Sequence, residues 1–259
     1  MKQILAILVI LLSLTLFSCG NDDDSELVLP MFNDYGEFMD FVDSREWMFG
    51  IEIDNKDGNT AELYVMRTQV ELSMDDEISL TINGEPVGAE LIDHEEGVWL
   101  NCDSVEIPEN KQFDINFKYN GDIVFDKTIS IPDAPSITDV SISTPDEPIN
   151  VTWQQSSTPS MYAAEVWLAG GPDYGYIDFL MLSGSARSFT IAANATGLEE
   201  INQWSIELHS FNIVQHENNA VLANRHDYKS SQSRFHAWKS DLHNMDNRGL
   251  GRLFRSFLR

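Results

Sequence analysis

Five of the six histidines, His209, His216, His226, His236 and His243, fall after residue 208, and they are the first residues in this chain whose types invite chemistry. Neutral imidazole is a common metal ligand, so a histidine-rich stretch raises a metal centre. The spacings argue against one. No two of these histidines stand four apart on a helix, and only one cysteine lies in the body of the chain. No metal is assigned, and the histidines are expected to be solvated, with strand alternation turning His209 outward.

The other candidates fare no better. Cys102 alternates with Val98 and Leu100 on the apolar side of a strand, where a thiol behaves as a small hydrophobe. Asp75-Asp76-Glu77 and Glu95-Glu96 are acid pairs in a chain with 42 Asp and Glu, where such pairs arise by chance. Around Gly58 the calcium-loop template finds Ile53 where its first oxygen ligand belongs. Ser183-Gly184-Ser185 lacks the flanking glycines of a nucleophile elbow, and no phosphate loop or H-E-x-x-H occurs. No catalytic residue and no cofactor are expected.

Ligand contact is better placed on aromatic rings. Gly170 to Tyr176 reads as a loop carrying Tyr174 and Tyr176, and Trp167 before it points away from the expected core. Exposed rings beside Asp173 offer apolar contact at low entropy cost, which suits a sugar face or a peptide.

The chain opens with Lys2, an apolar run from Ile4 to Phe17, and then Ser18-Cys19. This is the layout of an export signal, and the run is shorter than the roughly 20 apolar residues of a transmembrane helix. Leu16-Phe17-Ser18-Cys19 resembles a bacterial lipobox. That resemblance implies removal of residues 1–18, acylation of Cys19 and anchoring in a lipid bilayer, with Gly20 favouring the outer membrane. Asp22-Asp23-Asp24 resembles the acidic surface-export tether of some lipoproteins, so cell-surface exposure is an expectation as well. Residues 19–30 would form the tether.

The net charge of −26 is unevenly distributed. Residues 225–259 hold eight Lys and Arg against Asp227, Asp241 and Asp246, a net of +5, which leaves −31 on the rest. An acidic body repels polyanions, so no nucleic-acid partner is expected. With Cys19 acylated, Cys102 has no partner for a disulfide within the chain, and stability must come from an apolar core.

Positioning such residues falls to sheet elements. Tyr35, Phe38, Met39 and Val42 predict a short amphipathic helix, after which the hydrophobic period changes to two. Alternating runs at Trp47–Ile53, Leu63–Leu72, Ile78–Ile82, Val98–Cys102, Phe113–Tyr119 and Ile123–Ile131 predict strands. Asn83-Gly84 and Asn120-Gly121 predict hairpins, because both residues tolerate positive φ. Pro132 and Pro135 cannot continue a ladder and mark a boundary. Beyond it, Ile137, Ile149–Trp153, Tyr162–Leu168, Tyr176–Leu182, Ser188–Ile191 and Trp204–Leu208 predict a second set.

Pro135-Ser136-Ile137, Val151-Thr152-Trp153, and Leu198 six residues before Trp204-Ser205-Ile206-Glu207-Leu208 resemble a fibronectin type III module over about 100 residues. Trp204 stands where that family usually has Tyr. Residues 47–131 more loosely resemble an immunoglobulin-like sandwich. The expected fold is therefore all-β: two tandem antiparallel sandwiches, immunoglobulin-like over 31–132 and fibronectin type III-like over 133–235. A basic amphipathic helical tail over 236–259 follows, with Leu250, Leu253, Phe254, Phe257 and Leu258 on one side and Arg248, Arg252, Arg255 and Arg259 on the other. Arg252, Phe254, Arg255, Phe257 and Leu258 are its candidate contacts with a partner or membrane.

Neither sandwich resemblance implies an activity, since such folds host many roles. The expectation is a membrane-anchored envelope lipoprotein acting as a non-catalytic binding or assembly module for a protein or glycan. An accessory enzyme of polysaccharide or peptide turnover and a purely structural spacer stand as alternatives.

Overall fold

The computed structural model describes residues 32–53, 59–67, 71–94, 97–171 and 174–231. The lipobox with Cys19, the acidic tether and the basic tail lie outside these residues.

Helix α1 (Tyr35–Asp43) begins where Asp34 accepts the Glu37 amide, 2.9 Å away, and satisfies one of the open N–H groups of the first turn. Its buried stripe is Phe38, Phe41 and Val42. Strands β1 (Trp47–Ile53), β2 (Thr60–Arg67), β3 (Ile78–Ile82), β4 (Glu85–Val87), β5 (Ala89–His94), β6 (Gly97–Cys102), β7 (Val105–Glu106), β8 (Gln112–Tyr119) and β9 (Asp122–Ser130) make the first half. The second half consists of β10 (Ser136–Ser141), β11 (Ile149–Gln154), β12 (Met161–Gly171), β13 (Tyr174–Ser183), β14 (Ser188–Ile191), β15 (Gln203–His216) and β16 (Asn219–Ser230). Both expected hairpins form. Asn83 and Gly84 take φ 53° and 80°, Asn120 and Gly121 take 50° and 87°, and the flanking strands pair directly.

Two small sheets, β4-β3-β8-β9 and β10-β11-β14, pack on one large nine-stranded sheet of order β13-β12-β15-β16-β1-β2-β6-β5, with β7 beside β2. The first covers a core built on Trp47, Phe49, Ile51, Phe113, Phe117 and Phe125. The second covers Val151, Trp153, Tyr162, Val166, Ile206 and Leu208. Residues 136–230 thus form a three-on-four β-sandwich, the fold type that the fibronectin type III resemblance implies.

The large sheet alters the expected tandem arrangement, because its strands come from both halves. β1 pairs in parallel with β16, from Trp47 opposite Asn219 to Glu52 opposite Asn224, so the ladders are not antiparallel throughout. The reason is the length of the β15–β16 hairpin. β15 has 14 residues, about 48 Å at strand rise, which outruns one sandwich. Ile206 and Leu208 serve the second core, and Val214 on the same face packs against the first.

Between them, the linker lies under that face. Ser210 Oγ donates to Asp133 O at 2.9 Å, and Asn212 Nδ2 donates to Ser130 O at 2.8 Å. The Asp133 carboxylate takes Lys111 Nζ at 2.8 Å from one half and Ser156 Oγ at 2.7 Å from the other. These bonds hold its pKa down at about 2, Lys111 contributing most and Ser156 next.

On the opposite face of the large sheet lies a third core. Phe38, Phe41 and Val42 of α1 cover Met48, Met161, Phe211, Ile213, Ala220 and Leu222. β1 is therefore buried on both faces, although the alternation of Trp47–Ile53 implies only one; Met48 is fully buried, and Glu52 keeps 5% of its surface.

Candidate functional site

The third core covers only part of the outer face. One step further along each strand, the residues turn polar. β12 presents Glu165; β15 presents His209 and Glu207; β16 presents Asn224 and His226; β1 presents Glu52; β2 presents Glu62. His209 stacks on Phe211 at 5.9 Å, so the polar group begins where the helix-covered core ends.

Ladder register places like groups directly opposite one another. Glu165 faces Glu207, Glu52 faces Glu62, and His209 faces His226. Like charges directly opposite each other in a ladder destabilise it, and burial deepens the cost. The sequence nevertheless builds two such acidic pairs around two imidazoles.

His209 Nε2 lies 3.4 Å from Glu207 Oε1, and His226 Nε2 lies 4.0 Å from the same oxygen. On its other side, His226 Nδ1 is 3.8 Å from Glu52 Oε1. One donor atom from each of Glu207, His209 and His226 lies within 4.8 Å of the other two. Burial pushes the His209 pKa down, which favours the neutral imidazole. Glu207 pulls against this, His226 adds to it, and Glu165 and the Asn224 hydrogen bond oppose it. His209 does point away from the sandwich cores, as alternation predicts. It is not solvated, however, for only 4% of it is exposed; its ring lies against Phe211 at 5.9 Å and His226 at 5.4 Å, with Asn224 at its Nδ1.

Sequence reasoning missed this group because its members lie as far apart as Glu52 and His226. The available signal was the alternation Glu207, His209 on one strand and Asn224, His226, Tyr228 on the next. The second of those strands carries Ala220 to Ala223 buried on both faces and so lacks a period of two at its start.

The other candidate residues separate. Trp167 is half-buried, on the face of β12 that also bears Glu165, and lies opposite Ile177 in the ladder. Tyr174 and Tyr176 fall within β13, opposite Gly171 and Leu168, so the expected loop over 170–176 is mostly ladder. The register shifts between Ala169 and Gly171, and pairing resumes beyond the shift with Gly171 opposite Tyr174. Cys102 is partly buried at the end of β6 and packs against the first core. Burial, then Asp103, pushes its thiol up to about 12, so it is not a thiolate near neutrality. Arg252, Phe254, Arg255, Phe257 and Leu258 lie outside the described residues.

A void among the described residues is lined by Phe49, Ile51, Leu63, Val65, Leu80 and Ile82, inside the first apolar core. No helix among the described residues is long and apolar enough to cross a membrane.

No family model matches this chain, and no curated protein matches it. Solved structures do. The crystal structure of chicken CNTN1 FN1-FN3 domains is 13% identical with a TM-score of 0.29; the match covers 71% of this chain and 66% of that one, just under two thirds of its length. A cytokine receptor complex is 12% identical with a TM-score of 0.27, over 66% of this chain and 90% of that one. Similarity at this level carries no function across.

Proposed function

We propose that this chain is a non-catalytic binding or assembly module, held at the bacterial outer membrane through acylated Cys19. The lipobox residues Leu16 to Cys19 support the anchor. The observation that carries the binding reading is the end of the large sheet. β13 pairs with β12 and ends the sheet path, and its ten residues, Tyr174 to Ser183, include no Lys, Arg or Pro and a single acid, Asp178. Edge strands left without such blocking residues add a strand from another chain readily, main-chain hydrogen bonds giving affinity and side-chain pockets giving choice. The partner this edge suits is an extended segment of an envelope protein; Trp167 on the neighbouring strand adds apolar contact. The tail, with Arg252, Phe254, Arg255, Phe257 and Leu258, is a second contact element on this reading.

The test is recovery of partners from the native envelope with the lipidated full chain as bait. Asp178→Lys, which blunts the edge, is expected to lower recovery at least tenfold, and a chain ending after Ser231 reports the share of the tail while leaving β16 whole. Equal recovery with both variants would contradict this reading. So would hydrolysis of envelope polysaccharide or peptide by the purified chain.

A further inference from the structure

We infer that Glu207, His209 and His226 form a binding site for one divalent transition-metal ion of the zinc class. Three donors converge from two adjacent strands, with every pair of donor atoms within 4.8 Å. Donors about 2.1 Å from a tetrahedral ion sit about 3.4 Å apart, so His209 and Glu207 already have the required separation and only His226 must close in. Two imidazole nitrogens with one carboxylate select a zinc-like ion over calcium or magnesium, which prefer all-oxygen shells.

The surrounding residues fit that role. Each imidazole has a polar group toward Nδ1: Asn224 for His209 at 3.2 Å, within hydrogen-bond distance, and Glu52 for His226 at 3.8 Å, which must close in by about 1 Å to bond. A carboxylate or carbonyl there holds the Nδ1 proton and leaves the Nε2 lone pair for a metal. Asn224 is fully buried, and its Oδ1 has no hydrogen-bond partner. Turning its amide over lets Oδ1 accept Nδ1–H from His209 and frees Nε2 toward Glu207. A cation here also offsets the facing acid pairs Glu165–Glu207 and Glu52–Glu62, which otherwise repel. Three protein donors leave a fourth position, and His226, whose side chain is 24% exposed against 5% for His209, marks the solvent side.

Titration of the metal-free full chain with Zn2+ and with Co2+ tests the site, independently of anchoring and of the β13 edge. One equivalent of either ion is expected to bind, Co2+ giving the strong visible bands of a four-coordinate ion. His226→Gln and Glu207→Gln, at partly exposed side chains, are each expected to weaken binding by more than about 100-fold, since even outer partners of a metal ligand are worth 10- to 100-fold. Absence of saturable binding, or affinity unchanged in both variants, would overturn the assignment. Should either variant fail to fold, X-ray absorption of zinc on the wild-type chain decides: two imidazoles and a carboxylate support the site, and a shell without imidazole contradicts it.

Discussion

Asn219, the first residue of β16, clamps Trp47, the first residue of β1, to the opposite sheet. Its Oδ1 accepts the Trp47 amide at 3.2 Å, and its Nδ2 donates to Val124 O of β9 at 2.9 Å. One buried side chain therefore ties the parallel ladder to the small sheet of the first half. Asn219→Ala removes both bonds at once, and losing a buried hydrogen bond costs about 1–3 kcal/mol. The expected loss is in that range overall. Because β15 and β16 serve both cores, denaturant unfolding followed by tryptophan fluorescence and by circular dichroism is expected to show one shared transition. Two separate transitions would mean that the halves do not depend on each other.

The hairpin that makes this sheet continuous carries strain at its turn. Glu217 has φ 53°, a region that costs a residue with a Cβ about 1–2 kcal/mol and glycine almost nothing. Its carbonyl accepts Arg45 Nη1 at 3.4 Å, a bond that does not depend on the glutamate side chain. Glu217→Gly is expected to raise stability by about 0.5–1 kcal/mol, the gain being limited by the freer unfolded chain. A higher urea midpoint with an unchanged slope is the result expected.

Acid sensitivity should have two parts of separate origin. Asp133, held at about 2 when folded against about 3.9 when unfolded, contributes stability that is complete above about pH 5 and is lost as pH falls through about 2. Asp133→Asn should flatten that window. His209 acts earlier. Its folded pKa is depressed, so below about 6.5 the unfolded chain binds the extra proton and stability falls as pH drops. His209→Gln should remove that earlier slope in the metal-free chain, as read from urea midpoints between pH 7.5 and 5.

Where one face of a strand meets a core, the sequence was legible. Ile78 to Ile82 and Ser188 to Ile191 coincide with strands, and both Asn-Gly turns lie where positive φ is needed. β4 and β7 escaped because two or three residues hold too little alternation, and β5 because Leu91 and Ile92 stand side by side and break it. β16 escaped for a more instructive reason. Val221 and Ala223 enter the first core while Ala220 and Leu222 enter the third, so four successive residues are buried and no period appears. Without that strand, neither the shared sheet nor the Glu207–His209–His226 cluster could be found, since register alone brings His209 opposite His226.

The binding reading depends on where the chain is held, and Cys19 decides that most directly. Metabolic labelling with a fatty-acid analogue, followed by separation of inner membrane, outer membrane and medium, is the measurement. Label on the wild-type chain in the outer-membrane fraction, and none on Cys19→Ala, is the result predicted. Unlabelled wild-type protein released into the medium would contradict it.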